Sequence, residues 1–139
     1  MIKGCFGCVT DLFKIALGAL IIIAGINYYS YRNTLVTIKS CYDGNTCKTI
    51  KGERIRLACI DTPDLGGLRA DHVPAKAARD YLNQLVAGEQ VSIRRISKDR
   101  YGRTIAEISK GRMNIQKKIV SKGYAQLSQR YAEQCRWSR

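Results

Sequence analysis

The chain has 139 residues, which leaves room for one domain and a short appendage. Lys and Arg total 24 against 11 Asp and Glu, a formal net charge of +13, and residues from Arg32 onward hold 22 of the basic and 10 of the acidic residues. This excess attracts polyanions, either nucleic acid or an anionic membrane surface, although a basic soluble protein without such a ligand has the same charge. The single histidine, His72, has no Cys-x-x-Cys pair near it, which excludes a His-rich metal centre and argues against zinc.

An apolar, uncharged run occupies residues 15–26. We interpret residues 12–31 as a membrane anchor or signal segment and residues 1–11 as an N-terminal tail. The run alone is shorter than the ~20 residues of a full span and fits the apolar region of a signal peptide. Three tyrosines between residues 28 and 31 resemble an interfacial aromatic belt, and no small-x-small cleavage motif follows. These features favour an uncleaved anchor over a cleaved signal, with a buried soluble helix as the third alternative.

Four cysteines follow the apolar run, an even number that permits two disulfides in an exported domain. Cys41 and Cys47 bracket a tight turn and can bridge a hairpin, which leaves Cys59 to pair with Cys135 by elimination. The alternative is four buried thiols. The cysteines and the apolar run together predict a domain outside the cytoplasm (periplasmic or extracellular), either anchored to the membrane or secreted after signal cleavage.

The pattern of apolar residues predicts five strands, which are, in chain order, residues 33–42, 46–50, 54–60, 90–97 and 104–109. The first strand ends at Asp43-Gly44, a strong hairpin signal. Helices are expected at residues 75–87, between Pro74 and Gly88, and at residues 113–122, before Gly123. A last helical segment would carry Leu127, Tyr131 and Cys135 at i, i+4 and i+8.

Three strands, a helix, two strands and further helices follow the order of a small five-stranded OB-fold barrel. The predicted fold class is therefore a β-barrel plus helices (α+β), with about three helices and a preceding N-terminal hydrophobic helix. The barrel domain is expected to span residues 33–139.

Four charged residues lie near the ends of the most apolar strands. Arg56 is near the end of the third strand, Asp61 and Asp64 flank the corner Thr62-Pro63, and Arg103 is in a distant tight turn. Two cations, two acids and hydroxyl or carbonyl oxygens are the groups needed to cut a phosphodiester with a hard metal ion. The structural alternatives are a strand-ending cap at Asp61 and an ordinary surface strand residue at Arg56.

Three separate sequence motifs follow one another along the chain. They are Asp43-Gly-Asn-Thr46, Arg54-Ile-Arg-Leu-Ala-Cys-Ile-Asp-Thr-Pro-Asp64 and Asp99-Arg-Tyr-Gly-Arg103. Together they resemble the thermonuclease family, the staphylococcal-nuclease-like phosphodiesterases. The resemblance covers about residues 36–135. It implies a calcium-dependent endonuclease that hydrolyses phosphodiester bonds of DNA and RNA.

The resemblance also implies residue roles. Asp61, the Thr62 carbonyl and the side chain of Asn45 would hold Ca²⁺, and Asp64 would orient or deprotonate the attacking water. The two catalytic arginines that grip the phosphate would be Arg56 and Arg103.

The resemblance further implies substrate contacts and partners. Tyr101 would pack or hydrogen-bond at the nucleotide. The expected partners are DNA and RNA, single-stranded or frayed by preference, and the membrane through the N-terminal segment. The protein is expected to be a monomer.

Two positions depart from the pattern of the family, which usually has aspartate where Asn45 stands and glutamate where Asp64 stands. Asn45 removes one negative charge, and the Asp64 carboxylate lies about 1 Å further back, a misplacement that can cost ~10²-fold in rate. Gly66 and Gly67 could allow the loop to adjust. The departures predict a slow enzyme, and the alternative is a degenerate module that binds nucleic acid without cleaving it.

Overall fold

A computed structural model describes residues 6–64 and 72–138, and the side chains of residues 6–10, 32, 33 and 72 are outside the description. The chain divides into two compact units, residues 1–32 and residues 33–139. The described part of the first unit is one helix, α1 (Phe6–Arg32). Its segment Asp11–Tyr31 is long and apolar enough to cross a membrane by length and composition, a test that a signal sequence near an N-terminus also passes.

The second unit contains a closed barrel of five strands, which confirms the predicted fold class. Its strands are β1 (Asn33–Cys41), β2 (Thr46–Thr49), β3 (Arg54–Leu57), β5 (Gln90–Lys98) and β6 (Thr104–Lys110), hydrogen-bonded in the order β3-β2-β1-β5-β6. Parallel pairing of β3 with β6 closes the barrel, with Arg56 opposite Ile105. Short strands β4 (Ile60–Asp61) and β8 (Gln126–Leu127) pair with each other, and β7 (Met113–Asn114) pairs with β6.

Within the described residues of this unit, two α-helices cover the barrel, α2 (His72–Val86) and α3 (Ile115–Ser121). Apolar residues from the strands and from both helices form one buried core, and its members include Ile38, Ile55, Leu57, Leu82, Ile93, Ile108 and Ile119. Asn114 begins α3 by accepting a hydrogen bond from the Lys117 backbone N–H at 2.8 Å, so the predicted helix at 113–122 starts two residues later than expected. His72 begins α2, three residues before the predicted start of that helix at residue 75.

Two sequence predictions about local structure were wrong. The third strand was expected to continue from Arg54 to Ile60, but β3 ends at Leu57, and Cys59 has a left-handed backbone with φ of 64°. This turn directs Ile60 and Asp61 away from the barrel strand and into the β4–β8 pair.

The second wrong prediction is the last helical segment. Leu127 lies in β8, and two short 3-10 helices follow at Ala132–Gln134 and Arg136–Ser138. The reason is that Leu127 pairs with Ile60 and Cys135 is bonded to Cys59, contacts that hold this segment against the barrel instead of in a helix.

The structure contains both expected disulfides. Cys41 and Cys47 face each other across the β1–β2 hairpin and are bonded. Cys59 and Cys135 are bonded across 76 positions of sequence. The prediction of two disulfides is confirmed, and the second one ties the C-terminal segment to the turn between β3 and β4.

Candidate active site

Arg56 projects from β3 at the point where the chain turns into β4. Its Nη1 donates hydrogen bonds to the carbonyl oxygens of Leu57 at 3.3 Å and Ile60 at 3.4 Å. Its Nη2 lies 3.4 Å from Asp61 Oδ1. The Arg56 side chain is 26 % exposed and that of Asp61 is 60 % exposed, so the turn fixes the guanidinium while leaving the pair open to a ligand.

The β1–β2 hairpin brings Asn45 against Arg56. The carboxylate of Asp43 accepts a hydrogen bond from the Asn45 backbone N–H at 2.9 Å, which shapes the turn. Asn45 is buried. Its side-chain amide forms hydrogen bonds with its neighbours when the oxygen accepts from Thr62 Oγ1 at 2.9 Å and from Arg56 Nη1 at 3.3 Å. Three residues expected to share a site, Asn45, Arg56 and Thr62, are therefore in contact.

Gly44 permits this close packing of the hairpin. A Cβ atom at this position would lie 2.8 Å from the Ala78 Cβ on α2 and 3.0 Å from the Thr62 Cγ2. Glycine is therefore required here by the lack of space and not only by the turn.

Replacing Gly44 with alanine is expected to lower the free energy of unfolding by about 1–3 kcal/mol, because the added methyl group overpacks the contact with Ala78. Urea unfolding of the full-length protein in detergent measures this change. Ala78→Gly in the Gly44→Ala background should recover part of the loss in a double-mutant cycle. An unfolding midpoint that Gly44→Ala leaves unchanged would contradict the packing described here.

Arg103 lies in the tight turn between β5 and β6, and Asp99 holds it. Asp99 Oδ1 accepts from the backbone N–H groups of Tyr101 and Arg103, and its Oδ2 accepts from Arg103 Nε at 2.7 Å. Burial opposes ionisation of Asp99, but the backbone and side-chain hydrogen bonds from Arg103 outweigh it, so the pKa of Asp99 lies below its ordinary value. An ionised Asp99 thus fixes the direction of the Arg103 guanidinium, whose Nη1 reaches Thr46 Oγ1 at 3.4 Å.

A single cavity of about 470 Å³ joins the two arginines. Its lining includes Arg56, Asp61, Arg103 and Tyr101. The Tyr101 ring lies 5.6 Å from the Arg103 guanidinium carbon, and Arg54 donates to the Tyr101 carbonyl at 2.5 Å. The structure therefore places both predicted catalytic arginines, one predicted metal ligand and the predicted nucleotide contact around one space.

Three predicted site residues do not line this cavity, namely Asn45, Thr62 and Asp64. Asn45 and Thr62 are joined to Arg56 through the Asn45 amide oxygen. Asp64 is exposed and ends the described part of its loop. Gly66 and Gly67, expected to adjust its position, lie outside the described residues.

The oxygens near Arg56 are of the type that a hard cation binds. Asp61 supplies a carboxylate, Asn45 an amide oxygen and Thr62 a carbonyl oxygen, and these are oxygen ligands of the types that calcium binds. Their combined formal charge is only −1, and the Arg56 guanidinium already contacts two of them. Within residues 6–64 and 72–138, no group of three or more His, Cys, Asp and Glu side chains is placed to hold a metal.

Sequence reasoning missed Asp99 as the partner that orients Arg103. The spacing of four residues between the two was a usable signal, because a carboxylate at the start of a tight turn commonly accepts hydrogen bonds from the backbone that follows. Sequence reasoning also missed residues 128–135, which form one wall of the cavity through Ser128, Tyr131 and Gln134.

The closed five-stranded barrel and its arginine-lined cavity define an OB-fold protein with a site suited to a phosphate group. The chain belongs to the family described as Staphylococcal nuclease homologue, whose model matches residues 54–137. The match contains Arg56, Asp61 and Arg103, and the hairpin with Asn45 precedes it.

Curated relatives agree with this family. Two proteins, from Escherichia coli O157:H7 and Escherichia coli, are each 31 % identical to the chain over 93 residues and carry the name "Uncharacterized endonuclease". The matched region is 64 % of this chain and 58 % of each relative. The chain therefore spans less than two thirds of the length of these relatives.

Proposed function

We propose that the barrel domain is a calcium-dependent endonuclease that hydrolyses phosphodiester bonds of DNA and RNA. The observation that carries the proposal is the shared cavity of Arg56 and Arg103, each held by an acceptor of its own. Planar guanidinium groups match phosphate oxygens in pairs, and their charge matters most as negative charge accumulates during attack on phosphorus. Family membership and the endonuclease name of the relatives support the same reaction.

In this proposal Asp61, the Thr62 carbonyl and Asn45 hold the calcium ion. When bound, the ion supplies Lewis acidity to the phosphate oxygens and lowers the pKa of nearby water. Asp64 orients or deprotonates the attacking water, and Tyr101 contacts the nucleotide. The enzyme is expected to be slow, because Asn45 lowers the charge of the ligand set and the exposed Asp64 is one methylene shorter than glutamate.

Asn45→Asp is expected to tighten calcium binding by about tenfold and to raise the cleavage rate, because ligand charge tunes calcium affinity over decades. Calorimetric titration of calcium into the full-length protein measures the affinity, and initial rates give the activity. Gln84→Glu, on the exposed side of α2, makes the same change of charge away from the cavity and should alter neither. Equal calcium affinity in Asn45→Asp and the parent would remove Asn45 from the ligand set.

A second candidate is a module that binds nucleic acid through the basic barrel and does not cut it. The exposed position of Asp64 and the low charge of the ligand set favour this alternative. Asp61 argues against it, because a carboxylate that lines a phosphate cavity repels the ligand unless a cation lies between them. We therefore prefer the enzyme.

The proposed location is outside the cytoplasm, with α1 as a membrane anchor and secretion after signal cleavage as the alternative. The apolar segment Asp11–Tyr31 and the two disulfides support this location, since disulfides persist in oxidising compartments. The proposed partners are single-stranded or frayed DNA and RNA, and the barrel domain is proposed to act as a monomer.

The test of the proposal is cleavage of single-stranded DNA by the full-length protein in detergent. We expect shorter products with millimolar calcium at mildly alkaline pH and no products when a chelator is added first. A folded protein that leaves the strand intact at high calcium would contradict the enzyme and favour the module that only binds.

A further inference from the structure

A second cavity, of about 380 Å³, lies over the paired strands β5 and β6. Its lining includes two cross-strand pairs, Ser92 with Ser109 and Arg94 with Glu107. Side chains alternate along a strand, and the residues between these belong to the barrel core, so all four lie on the outer face of the pair. Within the described residues, this cavity shares no lining residue with the candidate active site. The remaining lining residues are Asn114, Arg136 and Trp137.

Arg94 is held in a fixed direction in this second cavity. Its Nε donates to Glu107 Oε2 at 2.7 Å, and its Nη2 donates to the Gln134 carbonyl at 2.8 Å. The Glu107 side chain is only 7 % exposed, and its Oε1 accepts from the Arg136 backbone N–H at 2.6 Å. Both carboxylate oxygens therefore already have donors, and the acid serves to orient Arg94.

The groups that remain in the second cavity are hydrogen-bond donors. Among the described residues, no hydrogen bond engages Arg94 Nη1, and the Arg136 side chain is exposed. The indole N–H of Trp137 is buried and has no hydrogen-bond partner in the part of the chain that the structure describes. Two arginines and one glutamate give the lining a formal charge of +1. This combination favours an oxyanion, and phosphate is the group that arginine binds with paired hydrogen bonds.

One short stretch of chain contributes to both cavities. Gln134 lines the cavity of Arg56 and Arg103, and its carbonyl accepts from Arg94 in the second cavity. Arg136 follows only two positions later, a separation of at most ~7 Å along an extended chain. A strand with one phosphate at the candidate active site can therefore place another phosphate in the second cavity.

We propose that the second cavity, through Arg94 and Arg136, binds a backbone phosphate of the same nucleic-acid strand that the candidate active site cleaves. The inference rests on the proposed function, because it assumes that the strand also binds at Arg56 and Arg103. A contact remote from the reacting phosphate stabilises the bound substrate and the transition state equally. It therefore lowers KM and leaves kcat unchanged.

Arg136→Ala tests the contact with little risk to the fold. Glu107 keeps its partner in this variant, because the hydrogen bond comes from the backbone N–H of Arg136. Fluorescence anisotropy of a labelled decathymidylate, in chelator and with full-length protein in neutral detergent, gives the affinity without cleavage. At ~0.1 M salt Arg136→Ala should bind about fivefold more weakly, and its slope of log affinity against log salt should be about 0.7 shallower, the value for one phosphate of a single strand.

Lys39→Ala is the matched control for this measurement. Lys39 is exposed on β1 and lines neither cavity, so its replacement removes one positive charge elsewhere on the barrel. Affinity and salt slope should both match the parent. In calcium, Arg136→Ala should raise the KM for single-stranded DNA about fivefold, with kcat within about twofold of the parent.

Fluorescence of Trp137 shows whether the second cavity itself is occupied. Trp137 is the only tryptophan in the chain and lines this cavity, so its emission reports on this site. In chelator, decathymidylate should change the emission of the parent, and Arg136→Ala should need about fivefold more strand for the same change. Inorganic phosphate alone should also change the emission, whereas sodium chloride at equal ionic strength should not.

Unchanged Trp137 emission when the strand is bound, or equal salt slopes for Arg136→Ala and the parent, would overturn the inference. A response to inorganic phosphate without any loss of strand affinity in Arg136→Ala would overturn the assignment of this phosphate to the strand. If the parent cleaves in calcium and Arg136→Ala has the same KM, only this inference fails. If the parent never cleaves and Arg136→Ala still binds the strand more weakly with a shallower salt slope, only the proposed nuclease function fails.

Discussion

Replacing Arg56 or Arg103 with alanine is expected to lower the rate of phosphodiester cleavage by about 10²- to 10³-fold, the loss that follows removal of one preorganised donor to a developing negative charge. Both guanidinium groups line the cavity, and each is held in place before any ligand arrives. Arg56 is held by two backbone carbonyls and Asp61, and Arg103 is held by Asp99. Their charges therefore stabilise the transition state without reorganisation.

Arg112→Ala is the control for this experiment, since Arg112 is exposed in the β6–β7 turn and does not line the cavity. The control should cleave at the parental rate. Lysine at position 56 or 103 should recover little activity, because an ammonium group cannot make the paired hydrogen bonds of a guanidinium. If Arg56→Ala cleaves as fast as the parent, the role assigned to Arg56 is wrong.

Removal of the Cys59–Cys135 disulfide is expected to lower the free energy of unfolding by about 4 kcal/mol, because the bond closes a long loop in the unfolded chain. The two cysteines are 76 positions apart, whereas Cys41 and Cys47 are only 6 apart. The same relation gives about 2 kcal/mol for the Cys41–Cys47 bond. The total stability of a domain is about 5–15 kcal/mol, so loss of the longer loop would remove a large part of it.

Urea unfolding of the Cys59→Ser/Cys135→Ser variant measures this effect, and Cys41→Ser/Cys47→Ser is the matched control. The first variant should lose more stability than the second. In the unreduced parent, the barrel domain (residues 33–139) should be lighter than in the reduced protein by the mass of about four protons, two for each disulfide. Thiol labelling of Cys41, Cys47, Cys59 and Cys135 in the unreduced protein would show that the bonds are absent.

The sequence patterns predicted the barrel because each strand and turn carries a local signal. Alternating apolar residues mark the strands, and Asp43-Gly44 marks the hairpin that Cys41 and Cys47 close. They did not predict the end of β3, because the apolar alternation of Ile55 and Leu57 continues to Cys59. A left-handed cysteine carries no sequence signal, since glycine is the usual residue in that conformation.

The C-terminal segment was mispredicted for a related reason. The spacing of Leu127, Tyr131 and Cys135 is typical of one helix face, but each residue has a different partner in the fold. Leu127 pairs with Ile60, Cys135 is bonded to Cys59, and Tyr131 lines the cavity. Long-range contacts decided this segment, and a periodic pattern cannot report them.

The residues of the candidate site also differ in whether the sequence alone predicted their positions. Arg56, Asp61 and Arg103 were predicted to converge, and they line one cavity. The contact of Asn45 with Arg56 and Thr62 required the geometry of the hairpin, because these residues lie on different elements. The role of Asp99 depended on the shape of the β5–β6 turn, which a pattern of apolar residues cannot report.

The assignment of the barrel as a nuclease is tested most directly by one measurement on a sample of full-length protein and labelled single-stranded DNA. The fluorescence anisotropy of the labelled DNA reports binding, and the length of the strand in the same sample reports cleavage. In chelator we expect high anisotropy and an intact strand. After calcium is added in excess, the anisotropy should fall as short products appear, and in Arg103→Ala the strand should stay intact. A strand that remains bound and uncut by the folded parent in excess calcium would contradict the assignment of this barrel as a nuclease.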